Sequence, residues 1–312
     1  MNHEDRHWQS AATVMFAAGV LVSMVCNLPA QAPAEQRTFA TPGEAIQAVI
    51  DAAEHNDTAA MLKLFGPEGK EIVETGDQAR DERAKFAKMA HEKMALEKDP
   101  TNPNRITFTV GADAWPFPIP LVRNKAGKWR FDAAAGKMEV LARRVGRNEL
   151  NAVEVCRGYV EAQMEYGARD RDADSILEYA QRIVSTPGKQ DGLYWEGAEK
   201  LVPEAFAGAA EAVAGGAGKK PVPYHGYFYR ILKAQGPAAE GGAANYVVKG
   251  EMIGGFALVA YPSEYGVTGV ETFIVNHRGI VYEKDLGPTT ATQARAMTMF
   301  NPGPGWHPVD KE

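Results

Sequence analysis

Cysteine is scarce in this chain, and the signatures of common catalysts are missing. Only Cys26 and Cys156 occur among 312 residues. Cys26 falls in an N-terminal stretch that reads as a removable leader, which leaves one thiol and no internal disulfide. The sequence has no P-loop, G-x-S-x-G, H-E-x-x-H or dinucleotide-binding glycine signature, so the chemistry tied to those motifs has no foothold. Positive charge is not in excess either. Lys and Arg number 34 against 40 Asp and Glu, for a net charge of −6 and a pI of about 5.7. That balance excludes the basic footprint that neutralises nucleic-acid phosphates, so no nucleic acid partner is expected. No internal repeat is visible.

What is present suits a globular protein. Hydrophobic residues make up 45% of the chain and charged residues 24%, enough for a packed core. The length allows one large or two ordinary domains. Residues Ala11 to Cys26 form an uncharged, mostly apolar run preceded by Arg6 and followed by small residues. This is the order of a secretory signal. Cleavage is expected after Ala34, with Ala32 as the other A-x-A site, so that residues 1–34 are a signal peptide and the protein resides in the periplasm or cell envelope. The stretch from Ser10 to Ala30 approaches the ~20 residues that span a bilayer, so a retained anchor stays open. Once the signal is removed, no membrane span remains.

The remaining chain reads as an α+β protein in two parts, 38–136 and 137–312. Thr41-Pro42-Gly43-Glu44 is a capping box with proline at the first helical position. Apolar residues at helical spacing follow, from Ala45 to Ala53 and again from Met61 to Phe65. A charged helix is expected from Gln78 to Lys98. Arg105 to Val110 alternates as a strand. The proline-interrupted run Trp115 to Pro120 suits an edge strand, and Leu121 to Phe131 a hairpin. The pattern is helices followed by antiparallel strands.

A long helix is expected from Ala133 to Tyr166, either continuous or interrupted at Gly146, with Leu150, Val153, Cys156, Val160 and Met164 as its apolar stripe. A short helix, Ile176 to Ile183, should follow an acidic loop. The last third offers four strands: Tyr224 to Leu232, Phe256 to Tyr261, Val270 to Asn276 and Ile280 to Lys284. A tight turn at Asn276 to Gly279 joins the last two.

Several constellations could carry function. Asp170, Asp172 and Asp174 alternate like the first half of a calcium loop, with Glu178 as a further candidate ligand. Ser175 stands where the turn glycine belongs and Gln181 where a bidentate glutamate would close the site, so only weak calcium binding is expected. Otherwise the loop is a solvated turn with Asp174 capping the next helix. Tyr194, Trp195, Tyr224, His225 and Tyr227 are aromatic side chains with polar tips. They could line a ligand site or simply pack a sheet face. Cys156 lies on an apolar stripe and reads as a small buried hydrophobe rather than a nucleophile. Arg143, Arg144 and Arg147 make a basic knot near a helix junction. It suits an exposed helix face, or an anion or carboxylate partner.

The segments WPFPIPLV (115–122), RRVGRNEL (143–150), LEYAQRIVSTPGKQDGLYW (177–195), YHGYFYRIL (224–232) and residues 254–287 resemble the bacterial family catalogued as Domain of Unknown Function 2950. The resemblance spans roughly residues 38–310. It implies an exported bacterial protein and carries no established activity. Members of that family often read D-x-D-G-D-G where this chain has Asp170 to Ser175. At the level of fold, the first part is similar to the cone of nuclear-transport-factor-like proteins. The long helix with the last strands is similar to the globular part of type IV pilins.

Taken together, these features point to an exported, non-catalytic binding or assembly module, with a small ligand or an envelope protein as partner. The rival is a periplasmic hydrolase of envelope material using acidic residues with His225 or His277. It requires its base within hydrogen-bond reach of a nucleophile or water.

Overall fold

A computed structural model describes residues 36–74, 76–197, 200–204, 206–207 and 222–309. The expected signal segment, 1–34, lies outside them. The chain is α+β. In the first part, α1 (Pro42–Glu54), α2 (Thr58–Phe65), the short α3 (Gly69–Ile72) and α4 (Asp77–Glu92) precede an antiparallel sheet. That sheet comprises β1 (Met94–Lys98), β2 (Arg105–Val110), β3 (Trp115–Pro116), β4 (Leu121–Arg123) and β5 (Trp129–Phe131). The order is β1-β2-β4-β5, with β3 also paired to β2.

Local chemistry explains the helix starts. Thr41 Oγ1 accepts from the Glu44 backbone N at 3.2 Å, and Asp57 Oδ1 accepts from that of Ala60 at 2.9 Å. Each bond satisfies an N–H that the helix itself leaves unpaired. The α4 helix ends at Glu92, short of the expected Lys98. Met94 to Lys98 pair instead with β2, Met94 opposite Val110 and Lys98 opposite Ile106. Cross-strand pairing overrides the helical preference of these residues.

One helix, α5 (Ala133–Gly167), runs 35 residues without a break at Gly146, about 52 Å at 1.5 Å per residue. It serves two hydrophobic cores. The first gathers α1, α2, α4 and the first sheet around Ile46, Phe108, Leu121 and Phe131. The helix enters close to this sheet. A Cβ on Gly136 would lie 2.8 Å from the Pro118 carbonyl oxygen, so only glycine allows the approach. The second core collects the later half of α5 and a second antiparallel sheet.

That sheet holds β6 (Tyr227–Leu232), β11 (Ala257–Pro262), β12 (Glu271–Asn276), β13 (Val281–Asp285) and β14 (His307–Pro308), in the order β14-β13-β12-β11-β6. The four expected strands are all there, and Asn276 to Gly279 turns between β12 and β13. Short pairs, β7 (Ala234–Gln235) with β8 (Ala244–Asn245) and β9 (Val247–Val248) with β10 (Glu251–Met252), link β6 to β11. Near the end lies α6 (Thr290–Ala296).

The buried face of α5 differs from the expected stripe. Val153 and Cys156 are buried, but Leu150 is 65% exposed and Met164 44%. Tyr159, Ala162 and Tyr166 occupy the inner positions instead. Both tyrosines bring large apolar rings whose hydroxyls find carbonyls, that of Ala257 at 3.2 Å and that of Gln190 at 2.9 Å. Ring area with a satisfied tip outweighs simple hydropathy. Ile176 to Ile183 is not a helix either. Tyr179 N donates to Met252 O, and the buried Gln163 side chain bonds both backbone groups of Ala180. These partners satisfy the segment's backbone groups without a helix.

Candidate binding cleft

The first core does not close completely. A cleft of about 680 Å³ opens among α1, α2, α4, the first sheet and the start of α5. Its floor includes Val49, Phe65, Phe86, Val110, Phe117 and Ile119. Phe117 stacks on Phe108 with centroids 4.6 Å apart and tilts against Phe86 at 5.2 Å. This size and apolar lining are those of small-molecule sites.

Charged groups line the cleft from α5, from Glu74, from α4 (Glu82, Arg83, Lys85 and Glu92) and from Asp113. Arg144 is 7% exposed, with its Nε 2.6 Å from Glu74 Oε1. That contact is an ion pair rather than an aligned hydrogen bond, since Arg144 Nε has no acceptor in bonding geometry. The guanidinium also donates to the carbonyls of Glu71 and Ile72. Arg147 Nη2 donates to Glu74 Oε2 at 3.0 Å. From α4, Arg83 donates to the Glu74 carbonyl and to Thr58 Oγ1. Burial lowers the Arg83 pKa from its usual range, against the opposing pull of Glu74. At another side of the opening, Arg143 lies over the Trp115 ring, 4.5 Å from its centroid, and pairs with Glu139 at 2.7 Å.

The basic knot is therefore no exposed helix face, and Glu74 is its carboxylate partner. Its signal in the sequence was like charge at neighbouring helix positions, which repel unless something neutralises them. Glu74 sits in the connection after α3, where no periodicity marks it.

The acidic loop does bring its carboxylates together. Asp170, Asp172 and Asp174 each offer an oxygen within 4.8 Å of the others, and all three residues are exposed. Asp170 is already engaged by the backbone N–H groups of Ala173 at 2.8 Å and Ser175 at 2.9 Å. The Ser175 bond is the main reason its pKa is lowered. Asp174 accepts from Ile176 N at 2.8 Å, a cap on a turn rather than on a helix. Glu178 is not part of this group. It shares a hydrogen bond with Glu251, and desolvation, then that bond, push its carboxyl up to about 7.

None of the aromatic candidates lines the cleft. Trp195 is buried beneath the Arg171 guanidinium, and Lys200 covers Tyr194. The Tyr224 and His225 rings lie 4.1 Å apart, beside Phe206. Tyr227 is fully buried, and its hydroxyl donates to Glu271 O at 2.9 Å.

The two histidines of the hydrolase reading are separated. Leu232 of β6 lies opposite Ala257, which lies opposite Asn276, so His277 follows that end of the sheet. His225 precedes Tyr227 at the other end. The span of β6 alone puts about 17 Å between the ends. The two histidines therefore do not share one site.

The sequence matches the family model described as "Protein of unknown function (DUF2950)" over residues 36–309. The chain belongs to that family. No curated protein and no solved structure matches it. Among the described residues, no helix is long and apolar enough to cross a membrane.

Proposed function

We propose that this is an exported envelope protein that binds a small ligand with an apolar part without transforming it, and that the cleft of the first part is its binding site. The observation that carries the reading is the cleft itself: an apolar floor, open to solvent, with guanidinium groups gathered at its wall. Export is supported by the apolar N-terminal run and its A-x-A tail.

Titration with the polarity-sensitive dye anilinonaphthalene sulfonate tests the site. One dye should bind per chain and fluoresce, and Val73→Trp, which fills the cleft from its half-buried rim, should abolish the signal. Equal binding by the variant would refute the assignment. N-terminal sequencing of the envelope fraction should begin at Glu35 or Pro33, and an intact Met1 in the cytosol would refute export.

A further inference from the structure

Resting on the cleft as a binding site, we propose that its ligand is an amphipathic carboxylate whose head displaces Glu74 between Arg144, Arg147 and Arg83 while its apolar tail lies on the cleft floor. The charges are unequal. Among the described residues, Glu74 is the only carboxylate paired with these three arginines: Arg144 and Arg147 ion-pair with its side chain, and Arg83 reaches only its carbonyl. Arg143 is neutralised separately by Glu139. Three guanidiniums thus share one directly paired carboxylate, with Glu82, Glu92 and Asp113 elsewhere in the lining, at a site where the Arg144 side chain is only 8% exposed. Cations out of bulk water repel one another strongly and favour an anion.

Glu74 shows what that anion would look like. Its two oxygens already address two guanidiniums, Oε1 toward Arg144 and Oε2 toward Arg147. Planar forks of this kind match a carboxylate. The Glu74 side chain is 32% exposed, so it can turn to solvent when a competing carboxylate arrives. Ile72, Val73 and Phe86 line the same cleft, and Lys85 is a further cation among its lining residues. A charged head with an apolar tail satisfies both surfaces at once. A fully polar anion would leave the floor wet, and an uncharged apolar molecule would leave the guanidiniums unanswered.

Dodecanoate below its micelle concentration is the probe, with dodecanol, dodecyltrimethylammonium and dodecyl phosphate as comparisons, all measured by displacement of the bound dye. Dodecanoate should bind more tightly than dodecanol by about tenfold, the worth of a charge-assisted contact, and the ammonium should not compete. Glu74→Gln removes the internal competitor. It should lower the melting temperature of the ligand-free protein and tighten dodecanoate by roughly tenfold, leaving dodecanol unchanged. Dodecanoate should then restore the lost melting temperature. Equal affinity for dodecanoate and dodecanol, or weaker dodecanoate binding in Glu74→Gln, would overturn the head-group assignment while the cleft stands. Tighter binding of dodecyl phosphate would overturn the choice of carboxylate. Failure of all four probes to displace dye bound in the cleft would also overturn the assignment, and failure of the dye itself would remove the cleft reading beneath it.

Discussion

Arg144 and Glu74 meet at the cleft wall, Nε to Oε1 at 2.6 Å, and tie the long α5 helix to the connection before α4. Arg144 is almost wholly buried and Glu74 is not, so the two members of the pair are not equivalent.

That asymmetry predicts the cost of breaking the pair. Glu74→Ala leaves a buried guanidinium without its counter-charge and should destabilise the fold by about 2 kcal/mol. Arg144→Met in the same chain should recover part of that loss, because the orphaned charge is gone. Denaturant midpoints measure both. An unchanged midpoint for Glu74→Ala would mean that solvent already neutralises Arg144.

The acidic loop carries backbone strain at two residues. Ala173 and Ser175 have φ of 66° and 72°, the left-handed region that costs a residue with a Cβ about 1–2 kcal/mol. They are the two positions where the D-x-D-G-D-G form has glycine. Ala173→Gly and Ser175→Gly should each stabilise the protein by about 1 kcal/mol, less the greater freedom glycine gives the unfolded chain. Millimolar calcium should raise the melting temperature modestly, and Asp172→Ala should abolish the rise. Calorimetry with calcium and with chelator checks it, and identical curves would leave the loop as a turn.

Cys156 should be inert. It is fully buried, and desolvation pushes its thiol up to about 12. A thiol reagent should modify it only after denaturation. Cys156→Ser places a hydroxyl where no partner waits and should cost about 1–3 kcal/mol.

Two carboxyls set a pH dependence. Desolvation is the leading cause for both Glu178, aided by Glu251, and Glu271, aided by Glu283 and Glu149, and each is raised to about 7. The folded chain therefore holds protons that the unfolded chain has released above about 4.5. Stability should fall as pH rises from about 4.5 to 7. Glu178→Gln and Glu271→Gln should each flatten that part of the melting-temperature profile and raise the value at pH 8. A profile of the same slope in both variants would assign the dependence elsewhere.

The strands were the most legible part of the fold. Residues 257–262 and 271–276 are short apolar runs with β-branched or aromatic residues (Val259, Tyr261; Thr272, Phe273, Ile274, Val275) bounded by turn residues, which suits strands. The α5 face was harder to read, because tyrosine and alanine replaced the valine and methionine that hydropathy favours. The segment after Asp174 was misread as a helix because its bonds come from Gln163 and Met252, far away in sequence. The cleft was hidden for the same reason. Its arginines were visible as a cluster, but the carboxylate that answers them lies 70 residues earlier, as Glu74 does from Arg144.

Photoaffinity labelling tests the central claim most directly. A diazirine-bearing dodecanoate should cross-link to peptides from residues 49–92, 110–119 and 140–147, the segments that line the cleft, and excess dodecanoate should compete the labelling away. Labelling confined to residues 224–285 would contradict the account and move the binding site to the second sheet.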